Sequence, residues 1–130
     1  MKYKYLTKKD LIKIHNKLIK KFGGSSGILS DANLELCVET PQRIVFGSEI
    51  YNTSHEKAAG LIYEIDKLHP FLDGNKRTGH TATDVFLREN GYELAVSSNE
   101  GVDVSLKVSS CSMEKPQITE WIKSHIRKLR

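Results

Sequence analysis

The stretch "LHPFLDGNKRTGH", residues 68–80, decides how the rest of this 130-residue chain is interpreted. It places a histidine, an aspartate, a glycine, an asparagine and two adjacent cations between two apolar segments with helical spacing. Pro70 ends the first of these segments, and the second begins near Gly74 or Asn75. We therefore expect the stretch to form a loop between two core helices, followed by the first turns of the second helix.

The residue types at the start of that second helix suit a phosphate group. A helix N-terminus offers unpaired backbone N–H groups and the positive end of the helix dipole, so Gly74, Asn75 and Lys76 predict an anion nest. Gly74 has no Cβ and lets an oxygen approach the backbone. Arg77 adds a two-pronged donor for phosphate oxygens.

Two further side chains of the stretch could act as a metal ligand and as a general base for a phosphate bound in this nest. Asp73 accepts hydrogen bonds only when ionised and is suited to hold a Mg²⁺ ion that also bridges nucleotide phosphates. His69 can act as a neutral base near physiological pH and deprotonate an attacking hydroxyl. The set predicts transfer of a phosphorus-centred group, although each residue alone is also explained as a helix stop, cap or turn residue.

The N-terminal half of the chain shows two helical patterns and one extended pattern. Helical spacing of apolar residues predicts a helix over 8–22, with Thr7 as its N-cap and a glycine pair as its stop. A shorter helix follows Ser30 and is closed by Pro41. Residues 43–53 combine β-formers with glycine and asparagine, which favours an extended loop or a short hairpin.

The C-terminal half is also mainly helical. A broad apolar stripe after Ser54 predicts a central buried helix, and the helix that follows the loop ends at Asn90-Gly91. Residues 102–108 alternate as a strand does, while Ser98 is an equally suitable helix start. Pro116 begins a last docking helix with apolar positions at Ile118, Trp121, Ile122 and Ile126, of which the tryptophan is expected to be a core anchor.

Composition limits the class of protein. With 38% hydrophobic and 28% charged residues, a formal charge of +4 and no long apolar run, we expect one domain over residues 1–130 that does not enter a membrane. No secretory signal is visible, and Cys37 and Cys111 lack metal or redox spacing, which predicts two reduced thiols in a cytoplasmic protein. The cations are spread out, so we expect only weak association with nucleic acid.

The segment "HPFLDGNKRTG" resembles the signature of the Fic/Doc family, HxFx(D/E)(G/A)N(G/K)R, and the chain resembles the short Doc-type members. Residues 6–24, 46–53, 56–65 and 118–122 resemble the same family in the same order. The resemblance implies an all-α single domain whose active-site loop lies between two central helices, with a small extended flap. It also favours helix over strand for residues 99–112.

Carried over by position, the resemblance implies a role for each residue of the loop. His69 is the general base for the target hydroxyl, Asp73 the Mg²⁺ ligand and Arg77 the phosphate clamp, with the nest described above holding the nucleotide. Phe71 is a core anchor that fixes the loop. The implied flap, which aligns the target peptide through backbone pairing, consists of Phe46, Gly47, Ser48, Glu49, Ile50 and Tyr51.

Family members transfer either AMP or the terminal phosphate of ATP to a protein hydroxyl. Here Gly74 matches the AMP-transferring members, whereas Lys76 matches the Doc branch, and His80 stands where a second arginine is usual. Loss of that arginine removes a donor for the outer phosphates in the AMP-transfer pose. The resemblance therefore favours phosphoryl transfer, with AMP transfer or a non-catalytic binding module as alternatives, and it implies Mg²⁺ and ATP.

Many family members carry an inhibitory helix with the pattern (S/T)xxxE(G/N). The two possible matches, at residues 89–90 and 100–101, have Val85 and Val96 at the Ser/Thr position, so an inhibitory helix is not expected within the chain. A short Doc-like protein without this helix resembles the toxin of a toxin–antitoxin pair. The implied partners are a small antitoxin in trans and a protein substrate of the translation machinery.

Overall fold

Helices dominate the computed structural model, which describes residues 2–110 and 112–129. In these ranges the chain forms six α-helices, confirming the all-α prediction: α1 Lys8–Phe22, α2 Asp31–Glu39, α3 Ser54–Leu68, α4 Asn75–Glu89, α5 Ser98–Ser109 and α6 Lys115–His125. The strands are short and pair antiparallel, β1 Ile44–Val45 with β2 Ser48–Glu49, and β3 Tyr92–Leu94 with β4 Ile126–Lys128.

The central helix is α3, which packs against α2, α4, α5 and α6. Four residues of its predicted apolar stripe, Ala58, Leu61, Ile62 and Ile65, are buried, whereas the fifth, Leu68 at the end of the helix, is only partly buried. Burying a side chain of leucine or isoleucine size contributes about 1.5–3 kcal/mol, so this stripe fixes α3 in the middle of the bundle. Because α4 is its main neighbour, the polar loop that joins the two helices lies at one end of the core.

Local capping explains where the first two helices begin. The Thr7 side chain accepts a hydrogen bond from the Asp10 N–H at 3.2 Å, and the Thr7 N–H donates to the Asp10 carboxylate at 2.8 Å. This reciprocal pair satisfies two N–H groups that would otherwise lack partners. Ser30 caps α2 by accepting from the Asn33 N–H at 3.1 Å. Both predicted helix starts are confirmed.

The predicted hairpin is present between α2 and α3. Ile44 pairs with Glu49 and Val45 with Ser48, and the turn residues Phe46 and Gly47 have φ values of 51° and 79°. Positive φ at two successive turn residues is typical of the tight hairpin turns that match strand twist. The Phe46 side chain at this turn is fully exposed.

Residues 99–109 are helical, which confirms the family-based expectation of a helix over the alternating pattern. The expected helix extended to residue 112, whereas α5 ends at Ser109 and residue 111 lies outside the described residues. Ser97, rather than Ser98, caps α5 by accepting from the Glu100 N–H at 3.2 Å, and Glu100 completes the capping box. Val104 and Val108, four residues apart, are buried, whereas Leu106 between them is half exposed. The buried face therefore follows the helical period, although the sequence also alternates.

The C-terminal prediction was wrong in one respect. The helix α6 ends at His125, and Ile126, predicted on its apolar face, lies in β4 opposite Leu94. Ile118 and Ile122 are buried as expected. Trp121 is only partly buried; it packs against the core from its edge and stacks on His125 with ring centroids 4.7 Å apart.

Cys37 on α2 is buried and not disulfide-bonded. Burial and the nearby Glu64 and Asp66 carboxylates raise the pKa of its thiol to about 12, which fits an unreactive reduced cysteine. Cys111 lies outside the described residues. Among the described helices, none combines the length and apolar character needed to cross a membrane.

Candidate active site

The loop between α3 and α4 begins at His69. This residue caps α3 in the left-handed conformation, with φ 47° and ψ 63°, and its N–H donates to the Ile65 carbonyl at 3.2 Å. The turn ends the helix immediately before Pro70, which could not continue it. The His69 side chain is exposed, so the proposed base is accessible to a large substrate.

Phe71 anchors the loop in the core. Its side chain is 1% exposed, and its ring stacks on the buried His15 with a centroid distance of 3.9 Å. The backbone of Phe71 is held by the Asn75 side chain, which accepts from the Phe71 N–H at 3.0 Å and donates to the Phe71 carbonyl at 2.9 Å. The predicted anchor is confirmed, and the Asn75 amide is engaged in holding it.

Two distant segments complete the support of the loop. The Pro70 carbonyl accepts from the N–H groups of Leu29 and Ser30 at 2.8 and 3.1 Å, and the Leu72 N–H donates to the Gly27 carbonyl at 3.1 Å. From α1, the His15 Nε2 lies 2.7 Å from the Asp73 carbonyl. A carbonyl only accepts, so Nε2 carries the proton and donates.

This role of His15 was not predicted. No role for His15 followed from the sequence, and the structure places it in the core with its hydrogen bond satisfied. Its position four residues after Leu11, on the apolar face of α1, was the available signal that it is buried. No local pattern could reveal its partner, 58 residues away in the chain.

Asp73 is exposed at the mouth of the site. One carboxylate oxygen accepts from the Ser25 N–H at 3.1 Å and the other from the Gly74 N–H at 2.9 Å. A Cβ on Gly24 would lie 2.6 Å from the carboxylate, so this approach requires glycine. Each oxygen keeps a further lone pair, which fits a Mg²⁺ ion whose other ligands are water and phosphate.

The first turn of α4 forms the candidate anion seat. Gly74 is the N-cap, with φ 72° and ψ 19°, and no side chain caps the helix. The backbone ladder begins only when the Thr78 N–H donates to the Gly74 carbonyl at 3.0 Å. The preceding N–H groups of Asn75, Lys76 and Arg77 therefore keep the donor capacity that the sequence predicted.

These residues border a cleft of about 260 Å³. Its other walls are the end of α1, with Leu18, Ile19 and Phe22, and Val102 on α5. The Arg77 guanidinium lies 4.2 Å from the centroid of the Phe22 ring. The ring covers one face of the guanidinium and leaves its N–H edge available to an anion in the cleft.

His80 lies one turn further along α4 and is half-buried against α5, where a Cβ on Gly101 would overlap its imidazole ring. Burial lowers the pKa of His80 below its ordinary value, and the Asp84 carboxylate only partly opposes this effect. A neutral imidazole therefore occupies the position at which, by the family resemblance, a second arginine is usual.

The flap residues lie apart from the loop. The buried Lys57 ammonium is 3.2 Å from the Glu49 carboxylate and 3.0 Å from the Pro41 carbonyl, which ties the hairpin to the N-terminal end of α3. His69 is at the other end of this helix, about 18 Å away at 1.5 Å per residue. The cleft thus brings together Asp73 and residues 74–77, whereas His69, in the loop that precedes them, is not among the residues that line it. Docking of a target by the flap stays a prediction.

The sequence of this chain is similar to known proteins in the region that contains the loop. A model of the Fic/DOC family matches residues 5–87, from the segment before α1 to the end of α4. Toxin Doc of Mycolicibacterium smegmatis is 38% identical over 74 residues, an alignment that spans 57% of this chain and 57% of that protein. Protein kinase doc of Escherichia phage P1 is 24% identical over 120 residues, or 92% of this chain and 94% of that protein. The segment matched by the family model includes the whole loop and the anion seat. The chain belongs to the Fic/Doc family.

Proposed function

We propose that this protein is a Doc-like toxin that transfers the terminal phosphate of ATP to a hydroxyl group of a protein. The observation that carries the proposal is the set of three uncapped N–H groups at residues 75–77, which share one cleft with the Asp73 carboxylate and the Arg77 guanidinium. The exposed His69 belongs to the loop that leads into this cleft. Both similar proteins bear the name Doc, one as a toxin and one as a protein kinase.

The anion seat binds the phosphates in this proposal. The N–H groups of residues 75–77 and the helix dipole stabilise negative charge, and Arg77 contacts the transferred group through two N–H donors. Asp73 would hold Mg²⁺, which would offset the charge of the phosphate oxygens. The segments that brace the loop keep these groups in place before ATP arrives, so little reorganisation accompanies the reaction.

His69 acts on the incoming substrate. Its imidazole accepts the proton of the target hydroxyl as the hydroxyl oxygen attacks the γ-phosphorus. A new oxygen–phosphorus bond forms, the bond from the γ-phosphorus to the bridging oxygen breaks, and ADP leaves with the electron pair of that bond. The exposed position of His69 allows a hydroxyl on a folded protein to reach it.

AMP transfer by the same site is the second candidate. It is less favoured because the half-buried imidazole of His80, whose pKa is lowered by burial, stands in place of the second arginine that would support the outer phosphates in the reversed orientation. A non-catalytic binding module is less favoured still, since every residue of the proposed chemistry is present. The antitoxin in trans, the target in the translation machinery and the cytoplasmic location stay proposals that follow from the resemblance.

ATP labelled at the α or γ phosphate separates the candidates when it is incubated with the protein, Mg²⁺ and a bacterial lysate. Label transferred from the γ position alone supports phosphorylation, and label from the α position supports AMP transfer. His69→Ala removes the catalytic base, whereas His125→Ala removes a histidine on α6 that lies outside the cleft and serves as the matched control. Equal labelling by wild type and His69→Ala would overturn the enzymatic proposal.

A further inference from the structure

The cleft beside the anion seat has one exposed end and one narrow end. Asp73 and Gly23 lie at the exposed end. Past Arg77, one turn further along α4, the space between α1, α4 and α5 shrinks from about 260 Å³ to a cavity of about 30 Å³. The cleft and the cavity share side chains of α1 and α5, so the cavity continues the cleft. It holds about one or two water molecules and is too small for a phosphate group.

His80 and Gly101 produce this narrow end. His80 lines the cavity from α4, and the buried Gly101 faces it from α5. A Cβ on Gly101 would overlap the imidazole ring, including Cγ at the base of the ring, so rotation of the ring in place would not relieve the overlap. Gly101 lies inside α5 and has no positive φ. Its missing side chain therefore serves the close approach of the two helices and not a turn.

The imidazole of His80 fills the space between the two helices by packing. Its Nδ1 is buried and has no hydrogen-bond partner in the part of the chain that the structure describes. Val102, the residue after Gly101, borders both the cleft and the small cavity. The contact between Gly101 and His80 therefore also sets how far the α5 wall stands from Arg77.

A closed end matters for a ligand that is a chain of linked phosphates. An inner phosphate has bridging oxygens on two sides, so the ligand must leave the seat in two directions. A terminal phosphate continues on one side only. A cleft with a single exit therefore admits a terminal phosphate to the seat and excludes an inner phosphate by steric overlap.

We propose that His80 and Gly101 are specificity-determining residues that close the inner end of the cleft, so that only a phosphate with a free end occupies the seat at residues 75–77. In ATP this is the γ-phosphate, and the inner phosphates and adenosine then leave through the exposed end beside Asp73. The assignment rests on the proposed function for the binding of phosphate at the seat. The choice between phosphates is measured by binding alone, without turnover.

Gly101→Ala tests the packing of α5 on α4. Alanine favours a helix over glycine, so this change raises the melting temperature where nothing obstructs the new methyl group. Here the methyl group overlaps the His80 ring and should lower the melting temperature by at least about 3 °C. In a His80→Ala background the same change should be neutral or stabilising, because the obstructing ring is gone. A Gly101→Ala chain that melts at or above the wild-type temperature would refute the close contact.

The binding test follows the backbone amide NMR signals of residues 75–77 in the full chain, with Mg²⁺ and either ATP or the phenyl ester of ATP at its γ-phosphate. The ester has no free terminal phosphate, because the phenyl group continues the chain. Wild type should bind ATP at least about tenfold more tightly than the ester. In His80→Ala, where loss of the ring enlarges the cavity, this ratio should fall below about threefold. The ester also lacks one negative charge, which affects both chains alike, so the change in the ratio is the readout.

His55→Ala is the matched control for the binding test. His55 is another half-buried histidine whose pKa is lowered by burial, but it lies on α3 and does not line the cleft. This variant should keep the wild-type ratio. Equal ratios in wild type and His80→Ala would overturn the proposal while leaving the proposed function intact. If ATP itself leaves the signals of residues 75–77 unchanged in wild type, the proposed function fails and the assignment of His80 and Gly101 fails with it.

Discussion

The side chain of Asn75 offers the sharpest test of how the active-site loop is held. Asn75→Ala removes both hydrogen bonds to the backbone of Phe71, at 3.0 and 2.9 Å, in a place where Asn75 is 7% exposed. A buried polar group left without its partner costs about 1–3 kcal/mol, so the free energy of unfolding should fall by about 2–4 kcal/mol. Since a domain of this size is stable by only about 5–15 kcal/mol, the loss is large.

Urea denaturation followed by circular dichroism measures this loss, and hydrogen exchange locates it at the Phe71 amide, which should lose its protection. Asn16→Ala is the matched control, because it makes the same chemical change at an exposed position of α1. It should alter stability by less than about 0.5 kcal/mol. If Asn75→Ala behaves like this control and the Phe71 amide remains protected, the account of the loop is wrong.

Four other predictions follow from burial and backbone geometry. Cys37, studied with the second cysteine replaced by serine, should react with iodoacetamide at least about 100-fold more slowly in the folded chain than in urea, as measured by mass spectrometry. Gly74→Ala places a side chain at φ 72° and should lower the free energy of unfolding, measured by urea denaturation, by about 1–2 kcal/mol. Gly47→Ala, at φ 79° with open space around it, should lower the free energy of unfolding by a similar amount but leave ATP binding unchanged. Lys57→Met should destabilise the chain by about 1–3 kcal/mol and increase hydrogen exchange in the hairpin, since it removes the ion pair and a buried hydrogen bond. Because the pKa of Asp66 is about 8 in the folded chain and near its ordinary value of 3.8 when unfolded, the folded state binds the extra proton between these values. The free energy of unfolding should therefore fall as pH rises through this window, and Asp66→Asn should flatten the slope in pH-dependent melts.

The sequence predicted what short-range chemistry decides. Thr7 and Asp10 define the start of α1 because a capping box needs only residues three apart. The polar loop was recognisable for the same reason, since His69, Asp73 and residues 74–77 are consecutive or nearly so. Asp73 and residues 74–77 share one cleft because they occupy a tight turn and the first turn of one helix.

Features that depend on distant partners could not be predicted. The pairing of residues 92–94 with 126–128 involves three residues on each side and has no local turn signal, so Ile126 was assigned to a helix. The sequence of residues 102–108 fits both the period of a strand and that of a helix. Packing against the core decides between them, because it buries Val104 and Val108 on one helical face. The stacking of Arg77 on Phe22 and the hydrogen bond from His15 to Asp73 likewise become visible only when α1 lies beside α4.

The braces of the loop have a consequence for the order of folding. Asp73 is held by Ser25 and His15, which precede it by 48 and 58 residues, and α5 reaches the seat through Ser105. Contacts that close such long loops form late, because the chain loses entropy before the contacts stabilise it. On a ribosome, a nascent chain that has already made α1 and α3 therefore still lacks a finished anion seat. The proposed activity should begin only after α5 has left the exit tunnel and packed against α4.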